Sequence, residues 1–318
     1  MSVSFASALK AARDAAGPQH YPQGALYVVA TPIGNLADIS LRALHVLEIV
    51  DAVACEDTRH TQQLLRAFGI DRPGSALVAL HQHNETEAAQ QVVRRLQAGE
   101  RVAYASDAGT PAVSDPGARL VAAVREAGLR VVPLPGASSV TAVLSVAGAW
   151  SGGEAGFVFG GFLPAKAGER EQAVQALASE ARAVVLLEAP HRIAALAQAL
   201  SALGARGLTI GRELTKQFEQ VATIACDAFP AWLAADSQRS RGEFALVLHP
   251  QEGAAARDDG EALLALLLQE LPVKTAVRIA AQASGAPRNA LYQAALRLRA
   301  ESGEANDEEG AAGASGGD

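Results

Sequence analysis

Short apolar runs alternate with polar loops and amphipathic segments from residue 25 to residue 148. Five of these runs read ALYVVA, DAVAC, ALVAL, RVAYAS and LRVVPL, and each is nearly continuously apolar. Such runs are typical of parallel strands that helices cover on both faces. The pattern therefore predicts a doubly wound α/β domain over residues 24–150, preceded by a flexible N-terminal tail over residues 1–23. Within this domain, Asn84 and Glu87 predict a capping box at a helix start, and Gly99 marks the end of that helix.

The segment SGGEAG, residues 151–156, interrupts this alternation and predicts a domain boundary. The apolar runs FVFGGF and AVVLLEA follow, then a helix with the sequence HRIAALAQALSAL. Three closely spaced runs, GLTIGREL, EQVATIA and GEFALVLHP, predict a mixed or antiparallel sheet. We expect a second α/β domain over residues 151–250.

The last part of the chain has a different pattern. A polar linker, QEGAAARDDG, spans residues 251–260, and the periodicity of residues 261–300 predicts two or three helices. Gly285-Ala286-Pro287 predicts a turn of the helix-turn-helix kind between them. Residues 301–318 are acidic and rich in Gly, Ala and Ser, so we expect a disordered tail.

Composition narrows the class of protein. The 318 residues are 49% hydrophobic and 19% charged, which permits two or three domains with their own cores. The two cysteines, Cys55 and Cys226, lie far apart, so a disulfide framework is not expected and a reducing cytosol is the natural compartment. The sequence contains no apolar segment of signal-peptide or membrane-span length. We therefore expect a cytoplasmic protein with no membrane partner.

Charge is distributed unevenly along the chain. The formal net charge is −7, yet residues 271–300 contain five Lys or Arg and no acid, whereas residues 301–318 contain six acids and no base. The basic segment has two interpretations, a solvated helix face or a contact with RNA. The sequence leaves both open.

Polar loops follow the predicted strands of the first domain. In an open α/β sheet, ligands bind beyond the carboxyl ends of the strands, where these loops lie. The loops read TPIGN at residues 31–35, EDTRH at 56–60, HQHNE at 81–85, SDAGTP at 106–111, VSDPG at 113–117 and PLPGASS at 133–139. Any one of them alone is compatible with ordinary turn chemistry.

The loop chemistry points to a class of ligand. The TPIGN loop has no Lys or Arg, so it is poorly suited to a polyphosphate. Asp107 and the pair Ser114-Asp115 add carboxylates, which suit a ribose diol or an ammonium group. A cationic nucleoside without phosphate fits this inventory, and S-adenosyl-L-methionine is such a ligand.

Nine motifs then occur in the order and spacing of a known family. They are TPIGNLADIS, EDTRHT, LHQHNE, SDAGTPAVSDPG, VVPLPGASS, GFLPAK, EAPHR, RELTKQFE and RGEFALV. Over residues 24–300 the sequence closely resembles the bacterial ribosomal RNA small-subunit methyltransferase I family, which belongs to the tetrapyrrole-methylase-like superfamily of S-adenosylmethionine-dependent methyltransferases. Wider superfamily members usually have a glycine-richer first loop, so TPIGN agrees with the ribosomal branch and favours RNA over a porphyrinoid substrate.

The resemblance implies an activity and a site. It implies 2'-O-methylation of a cytidine ribose, cytidine 1402, in the decoding region of 16S rRNA within the 30S subunit. It also implies two α/β domains of tetrapyrrole-methylase type with the cofactor folded in the cleft between them, and family members are often homodimers. The expected cofactor contacts are Thr31, Pro32, Ile33, Gly34, Asn35, Asp107, Ala108, Gly109, Thr110, Pro111, Ser114, Ala137, Ser138, Ser139, Phe162, Leu163, Glu188 and Ala189.

Methyl transfer from a sulfonium to oxygen needs alignment and removal of the hydroxyl proton, and it needs no metal. We expect Arg59 and Lys216 against phosphates or the 2'-oxygen, and either Glu56 or Asp57 as proton acceptor or substrate anchor. The sequence does not choose between the two carboxylates, and a salt bridge within residues 56–59 is the structural alternative. The expected RNA contacts are His60, His81, Asn84, Glu85, His191, Arg192, Glu213, Lys274, Arg278 and Arg288. For His191 and Arg192, a cap on the helix that follows is an equal alternative.

Three alternatives accompany this interpretation. His81-x-His83 with His60 has a zinc-like spacing, but Asn84 and Glu85 fit a substrate contact and a helix start better than a complete coordination sphere. A methyltransferase acting on a corrin precursor is disfavoured by the basic C-terminal helices and by TPIGN. An inactive RNA-binding assembly factor would have damaged cofactor loops, whereas TPIGN, SDAGTP and PLPGASS are intact here.

Overall fold

A computed structural model describes residues 5–81, 84–113, 117–149, 156–251 and 258–311. Its first sheet contains β1 (Ala25–Val29), β2 (Ala52–Cys55), β3 (Leu77–Ala79), β4 (Val102–Ala105) and β5 (Arg130–Leu134). The strands are all parallel and lie in the order β3-β2-β4-β1-β5. Each lies within one of the five predicted apolar runs, which confirms the α/β prediction for this half.

Helices cover both faces of the first sheet. They are α1 (Ala6–Ala16), α2 (Leu41–Ile49), α3 (Thr58–Ala67), α4 (Glu85–Gln97) and α5 (Gly117–Glu126). One core unites α1, α2 and Phe68 with Tyr27 and Val29 of β1. The opposite core packs Val92 and Leu96 of α4 and Leu120 of α5 against the sheet. Because both faces of the inner strands β1, β2 and β4 are buried, their sequences are apolar without alternation.

The N-terminal segment is not a flexible tail over residues 6–16. Helix α1 buries Leu9, Ala12 and Ala16 against α2, and Arg13 pairs with Glu48. The prediction of flexibility is wrong here because the buried stripe consists mostly of alanine, whose apolar signal in the sequence is weak. Residues 1–4 lie outside the described part.

A core substitution in α1 tests this packing. Leu9→Ala removes a side chain that is 7% exposed, and we expect a loss of about 2–5 kcal/mol in the free energy of unfolding. Urea unfolding measures the change, with the exposed Lys10→Ala on the same helix as the control. A change below about 0.5 kcal/mol, the usual range of a surface substitution, would mean that α1 is detached in solution.

The capping box at α4 is also corrected. Asn84 occupies the cap position, but its side chain makes no cap hydrogen bond to the helix. Its Oδ1 instead accepts from the backbone N–H of His81 at 2.8 Å, and its Nδ2 donates to the carbonyl of Ala79 at 3.0 Å. The amide therefore ties the end of β3 to the helix start, a use that the sequence spacing did not indicate.

The second sheet is mixed. It contains β6 (Phe157–Gly161), β7 (Ala183–Glu188), β8 (Gly207–Arg212), β9 (Gln220–Ala225) and β10 (Phe244–Leu248), in the order β6-β7-β10-β8-β9. Only β6 and β7 pair in parallel, and the other neighbours are antiparallel. This arrangement confirms the mixed sheet predicted from the three closely spaced runs.

Helices from both sides of the predicted boundary cover this sheet. Helices α7 (Ala167–Ala178), α8 (Ile193–Leu200) and α9 (Phe229–Ala234) share one core with it. Its other face packs against Val140, Val143 and Ala147 of α6 (Ser139–Ala147). Helix α6 precedes the predicted boundary at residue 151, so by its packing it belongs with the second sheet. Residues 151–155 of the boundary segment lie outside the described part.

The C-terminal helices form a separate core. They are α10 (Asp258–Glu270), α11 (Val273–Ser284) and α12 (Arg288–Ala311), and their core includes Leu264, Ala280 and Leu291. Gly285 ends α11 in the left-handed conformation with φ 72°, as the predicted turn requires. Helix α12 continues through residues 301–311 of the segment for which we expected disorder, where Ala and Glu favour helix.

Residues 252–257 of the linker and 312–318 of the tail lie outside the described part. None of the described helices is long and apolar enough to cross a membrane.

Candidate active site

A cleft lies where the loops of the first sheet meet the second sheet. Two adjoining cavities, of about 340 Å³ and 400 Å³, form it. They share five lining residues, which are Ala108, Ser139, Phe162, Leu187 and Glu243. The lining draws on the loops after β1, β2, β4 and β5 and on the ends of β6, β7 and β10. This is the edge of the first sheet where the sequence predicted a ligand.

Hydrogen bonds tie the loops of the first domain together. The backbone groups of Thr31 and Gly109 exchange two bonds, of 2.9 and 3.0 Å, and the Thr31 hydroxyl donates to the carbonyl of Ser106 at 3.0 Å. The Thr110 hydroxyl donates to the carbonyl of Ala137 at 3.0 Å. Gly109 has φ 82°, a conformation that L side chains rarely adopt. The loops after β1, β4 and β5 therefore form one preformed wall.

Asp107 has a carboxylate oxygen without a partner in this wall. Its Oδ1 is buried and accepts no hydrogen bond from any described residue, although Asp107 lines the cleft. A buried unpaired carboxylate oxygen is costly, so such groups are typical of sites completed by a ligand. The orphan oxygen suits a hydroxyl or a cation that enters the cleft.

The opposite wall is mostly apolar and contains a buried ion pair. Leu187, Ala189, Pro190, Leu214, Phe244 and Ala245 line it. Glu188 is 2% exposed; its Oε1 accepts from the backbone N–H of Ala189 at 2.9 Å and lies 3.2 Å from Nε of Arg192. Arg192 also donates to the carbonyl of Leu163. Arg192 therefore neutralises Glu188 from behind the wall, where we had expected an RNA contact.

The charged side chains that line the cleft are carboxylates. Among the described residues, its lining contains four carboxylates and no Lys, Arg or His. These carboxylates belong to Glu56, Asp107, Glu188 and Glu243. An apolar wall facing carboxylates fits a cationic nucleoside and disfavours a polyphosphate. The residues present thus fit S-adenosylmethionine.

Some of the expected cofactor contacts line the cleft and others do not. Ala137 is not among the lining residues, but its carbonyl accepts from the Thr110 hydroxyl. The cleft lining includes Ile33, Asp107, Ala108, Gly109, Thr110, Ser138, Ser139, Phe162, Glu188 and Ala189. Thr31, Pro32 and Pro111 are buried behind the lining, whereas Gly34 and Asn35 are exposed. Leu163 contributes its side chain to the core of the second domain, and its carbonyl accepts a hydrogen bond from Arg192. Ser114 lies outside the described part.

The two carboxylates that the sequence left open are in different situations. Glu56 lines the cleft. Asp57 caps α3 by accepting from the backbone N–H groups of Arg59 at 2.8 Å and His60 at 3.1 Å. The N–H groups of His60 and Arg59 hold the pKa of Asp57 below its ordinary value. A capping carboxylate of lowered pKa is a poor proton acceptor, so the geometry favours Glu56 of the two.

The neighbouring thiol takes no part in this chemistry. Cys55 is fully buried at the end of β2, and burial raises its pKa to about 11. The side chain is therefore a neutral thiol at neutral pH rather than a nucleophile.

Lys216 lies at the mouth of the cleft in a charged triad. Its Nζ donates to Oε1 of Glu213 at 2.8 Å and to Oε2 of Glu243 at 2.9 Å. Burial lowers the pKa of Lys216, but the two carboxylates raise it by more, so it stays above its ordinary value. Lys216 is thus a permanent cation beside Glu243.

The turn that carries Lys216 is strained. Glu213 and Thr215 have φ 52° and 68°, which costs on the order of 1–3 kcal/mol for each residue. A half-exposed ion pair such as that between Lys216 and Glu243 stabilises the fold by only about 0–1 kcal/mol, which does not offset this strain. Strain that stability does not explain is typical of functional turns.

Two glycines make room for this turn. A methyl group at Gly34 would lie 2.4 Å from Cγ of Lys216, and one at Gly242 would lie 2.4 Å from Cγ of Glu213. Gly34 belongs to the TPIGN loop of the first domain and Gly242 precedes β10 of the second. The stem of Lys216 therefore rests on the first domain while its ammonium is held by the second.

Several expected RNA contacts lie away from the cleft lining. His60, His81 and His191 are exposed, and Glu85 is 9% exposed and pairs with Arg119 at 2.6 Å. Arg278 and Arg288 line a groove of about 540 Å³ between α11 and α12, and Lys274 is exposed on α11. No group of three potential metal ligands occurs among the described residues, and His83 lies outside them.

Sequence reasoning missed several residues of the cleft. Glu243 is the most important of them, and Leu187, Leu214 and Phe244 belong to the same wall. A signal was available, because Glu243 stands immediately before a fully buried strand in the motif RGEFALV. A charged residue immediately before a buried strand lies where the strands of the sheet meet the loops, and ligand sites form at that position.

Comparison with known proteins agrees with this geometry. Residues 25–228 match the family model described as Tetrapyrrole (Corrin/Porphyrin) Methylases, and residues 254–299 match the RsmI C-terminal HTH domain. Two solved structures share the fold. Cobalt precorrin-4 methyltransferase is 16% identical with a TM-score of 0.52, covering 72% of this chain and 98% of that one. Diphthine synthase is 16% identical with a TM-score of 0.53, and the match covers 71% of this chain and 90% of that chain.

Relatives of much higher identity share one name, ribosomal RNA small subunit methyltransferase I. The protein of Xylella fastidiosa strain Temecula1 is 46% identical over 85% of this chain and 98% of its own length. The protein of Escherichia coli O157:H7 is 45% identical over 86% of this chain and 95% of its own length. The protein of Pseudomonas aeruginosa is 45% identical over 88% of this chain and 99% of its own length. With both α/β domains and the helix-turn-helix module matched, the chain belongs to the tetrapyrrole methylase family and, within it, to the ribosomal RNA small subunit methyltransferase I group.

Proposed function

We propose that the protein transfers a methyl group from S-adenosylmethionine to the ribose 2'-oxygen of a cytidine in 16S rRNA, cytidine 1402 in the decoding region. The observation that carries the proposal is the cleft, whose described lining residues include four carboxylates and no basic side chain, on a chain of the ribosomal methyltransferase group. When bound, the cofactor supplies an electrophilic methyl group. The chain must then hold the cofactor, align the ribose and remove one proton.

Residues of the two walls have distinct tasks in this proposal. Asp107, whose buried Oδ1 has no partner among the described residues, accepts from the ribose diol of the cofactor, and the apolar wall around Leu187 and Phe244 contacts its adenine. Glu188 lines the same wall with its charge paired by Arg192, so in this proposal it shapes the cofactor site without adding net charge to it. Arg59, which is exposed on α3 after the Glu56 loop, binds an RNA phosphate in this proposal.

RNA recognition is expected to rest on backbone and shape. Aromatic residues make up 4% of the chain, so stacking of many bases is not the dominant mode. An assembled 30S subunit presents a fixed arrangement of phosphates and 2'-hydroxyls that a basic module can match. We therefore propose the 30S subunit as the partner, the cytoplasm as the location and, by the family resemblance, a homodimer as the assembly.

The decisive experiment follows labelled methyl groups. The protein is incubated with labelled S-adenosylmethionine and, in parallel, with 30S subunits from a deletion strain, free 16S rRNA and a corrinoid precursor. We expect label on a cytidine 2'-oxygen in the 30S subunits. Label on the corrinoid alone would overturn the proposal in favour of small-molecule methylation, and cofactor binding without any transfer would indicate an assembly factor.

The groove between α11 and α12 gives a separate prediction. The double change Arg278→Ala and Arg288→Ala removes two cations, and we expect weaker binding to 30S subunits with a shallower salt dependence, by roughly one unit of log–log slope for each lost phosphate contact. Cofactor affinity should not change. Arg297→Ala, which removes a cation already paired with Glu261, serves as the control. Equal particle affinity of the double variant and the wild type would contradict a role for the groove.

A further inference from the structure

Two motifs that the cofactor contacts do not explain meet at the mouth of the cleft. RELTKQFE spans residues 212–219 and RGEFALV spans residues 241–247. The triad of Glu213, Lys216 and Glu243 joins them. The backbone N–H of Glu243 also donates to Oε1 of Glu213 at 3.0 Å, and the N–H of Glu213 donates to the carbonyl of Glu243 at 2.9 Å. The two segments thus form one rigid unit.

The unit presents an acceptor next to a cation. Glu243 has a side chain 73% exposed, and its Oε2 lies 2.9 Å from Nζ of Lys216. In RNA, a ribose 2'-hydroxyl lies beside the phosphate on the adjacent 3'-oxygen. A carboxylate paired with an ammonium group therefore matches the two groups that distinguish a ribonucleotide backbone, a hydroxyl donor and a phosphate.

Glu243 differs from the other carboxylates of the cleft. It alone among the described carboxylates lines both cavities. Asp107 and Glu56 lie on the wall of the first domain, and Glu188 has a fully buried side chain paired with Arg192. Glu243 thus stands between the cofactor cleft and the cation Lys216, where a ribose entering from the mouth would arrive.

We propose that Glu243 is the proton acceptor for the target 2'-hydroxyl and that Lys216 binds the phosphate on the 3' side of the same ribose. The inference rests on the proposed function and adds the residues that recognise the substrate. The hydroxyl O–H bond breaks and its proton passes to the Glu243 carboxylate. The 2'-oxygen forms a bond to the methyl carbon, and the cofactor sulfur keeps the electron pair of the broken sulfur–carbon bond. Glu213 retains its bond to Lys216 while the phosphate engages the ammonium.

The first test compares two isosteric variants, Glu243→Gln and Glu56→Gln. Each removes one carboxylate from the cleft, on opposite walls. We expect Glu243→Gln to lower the single-turnover transfer rate to 30S subunits by about 100-fold or more, the usual range of general base catalysis. Calorimetry with S-adenosylmethionine checks that the cleft remains folded. A Glu243→Gln rate within about threefold of the wild type would overturn the inference, whatever the rate of Glu56→Gln.

A second test needs no cofactor. A methylated ribose has no 2'-hydroxyl to donate to Glu243, so the wild type should bind unmethylated 30S subunits from a deletion strain more tightly than methylated 30S subunits. We expect Glu243→Ala to abolish this preference. We expect Lys216→Gln to weaken binding to both kinds of subunit alike and to reduce its salt dependence, because it removes a phosphate contact. A preference that survives in Glu243→Ala, or unchanged affinity of Lys216→Gln, would contradict the assignment.

The two proposals fail in different ways. If the wild type transfers no label to 30S subunits, the proposed function itself is wrong. If the wild type transfers label and Glu243→Gln does so equally well, the function stands and only the assignment of Glu243 fails.

Discussion

Replacing Asp107 by alanine should raise the dissociation constant for S-adenosylmethionine by about 10- to 150-fold. The buried Oδ1 of Asp107 has no partner among the described residues, so it is available to a hydroxyl of the ligand. Hydrogen bonds to a charged group contribute about 1.5–3 kcal/mol, which converts to that range of affinity. Isothermal calorimetry on the full chain measures the change.

The stability of the same variant separates a binding role from a structural one. Removing an unsatisfied buried oxygen should leave the free energy of unfolding unchanged or raise it. Glu87→Ala, on the exposed side of α4, is the matched control for loss of a carboxylate in the same domain. A variant that loses stability and keeps its cofactor affinity would show that Asp107 supports the loop and does not contact the ligand.

Replacing Arg192 by alanine should destabilise the fold by about 3–5 kcal/mol. The change leaves the carboxylate of Glu188, whose side chain is 0% exposed, without its counter-charge. It also removes the donor to the carbonyl of Leu163. Thermal and urea unfolding measure the loss, and cofactor binding should fall with it because Glu188 lines the cleft.

Two further variants make the cause of that loss explicit. Arg182→Ala removes an arginine from a more exposed pair with Glu180, and we expect a cost of about 0–1 kcal/mol. Adding Glu188→Gln to Arg192→Ala should recover part of the stability, since a neutral amide leaves no buried charge. If Arg192→Ala kept wild-type stability and lost only affinity for 30S subunits, the arginine would be an RNA contact after all.

The elements of the fold were predictable because the sheets are buried. Continuous apolar runs identified the five described strands of the first sheet, and the turn at residues 285–287 marked the connection between α11 and α12. Helix α1 was not predicted, because its buried face consists mostly of alanines, whose apolar signal in the sequence is weak. Helix α6 falls within the predicted first domain but packs on the second sheet, because position along the chain does not determine which sheet a helix covers.

Side-chain partners were much harder to predict than elements. The loops of the cleft lie near the carboxyl ends of strands, so their location followed from topology. Arg192 and Glu85 are charged residues in polar stretches of the sequence, and such residues are equally compatible with an RNA contact and with an ion pair. Their partners Glu188 and Arg119 become evident only in three dimensions. Glu243 was missed because its significance comes from Lys216, 27 residues away along the chain.

The close contact between Gly34 and the stem of Lys216 connects the TPIGN loop of one domain with the charged triad of the other. Any displacement of the TPIGN loop on cofactor binding would move Lys216 through this contact, and a phosphate that repositions Lys216 would in turn displace the loop. Thermodynamic linkage requires the two effects to be equal in free energy. Cofactor and RNA are therefore expected to bind as a reciprocally coupled pair, in which each ligand changes the affinity of the other by one common factor.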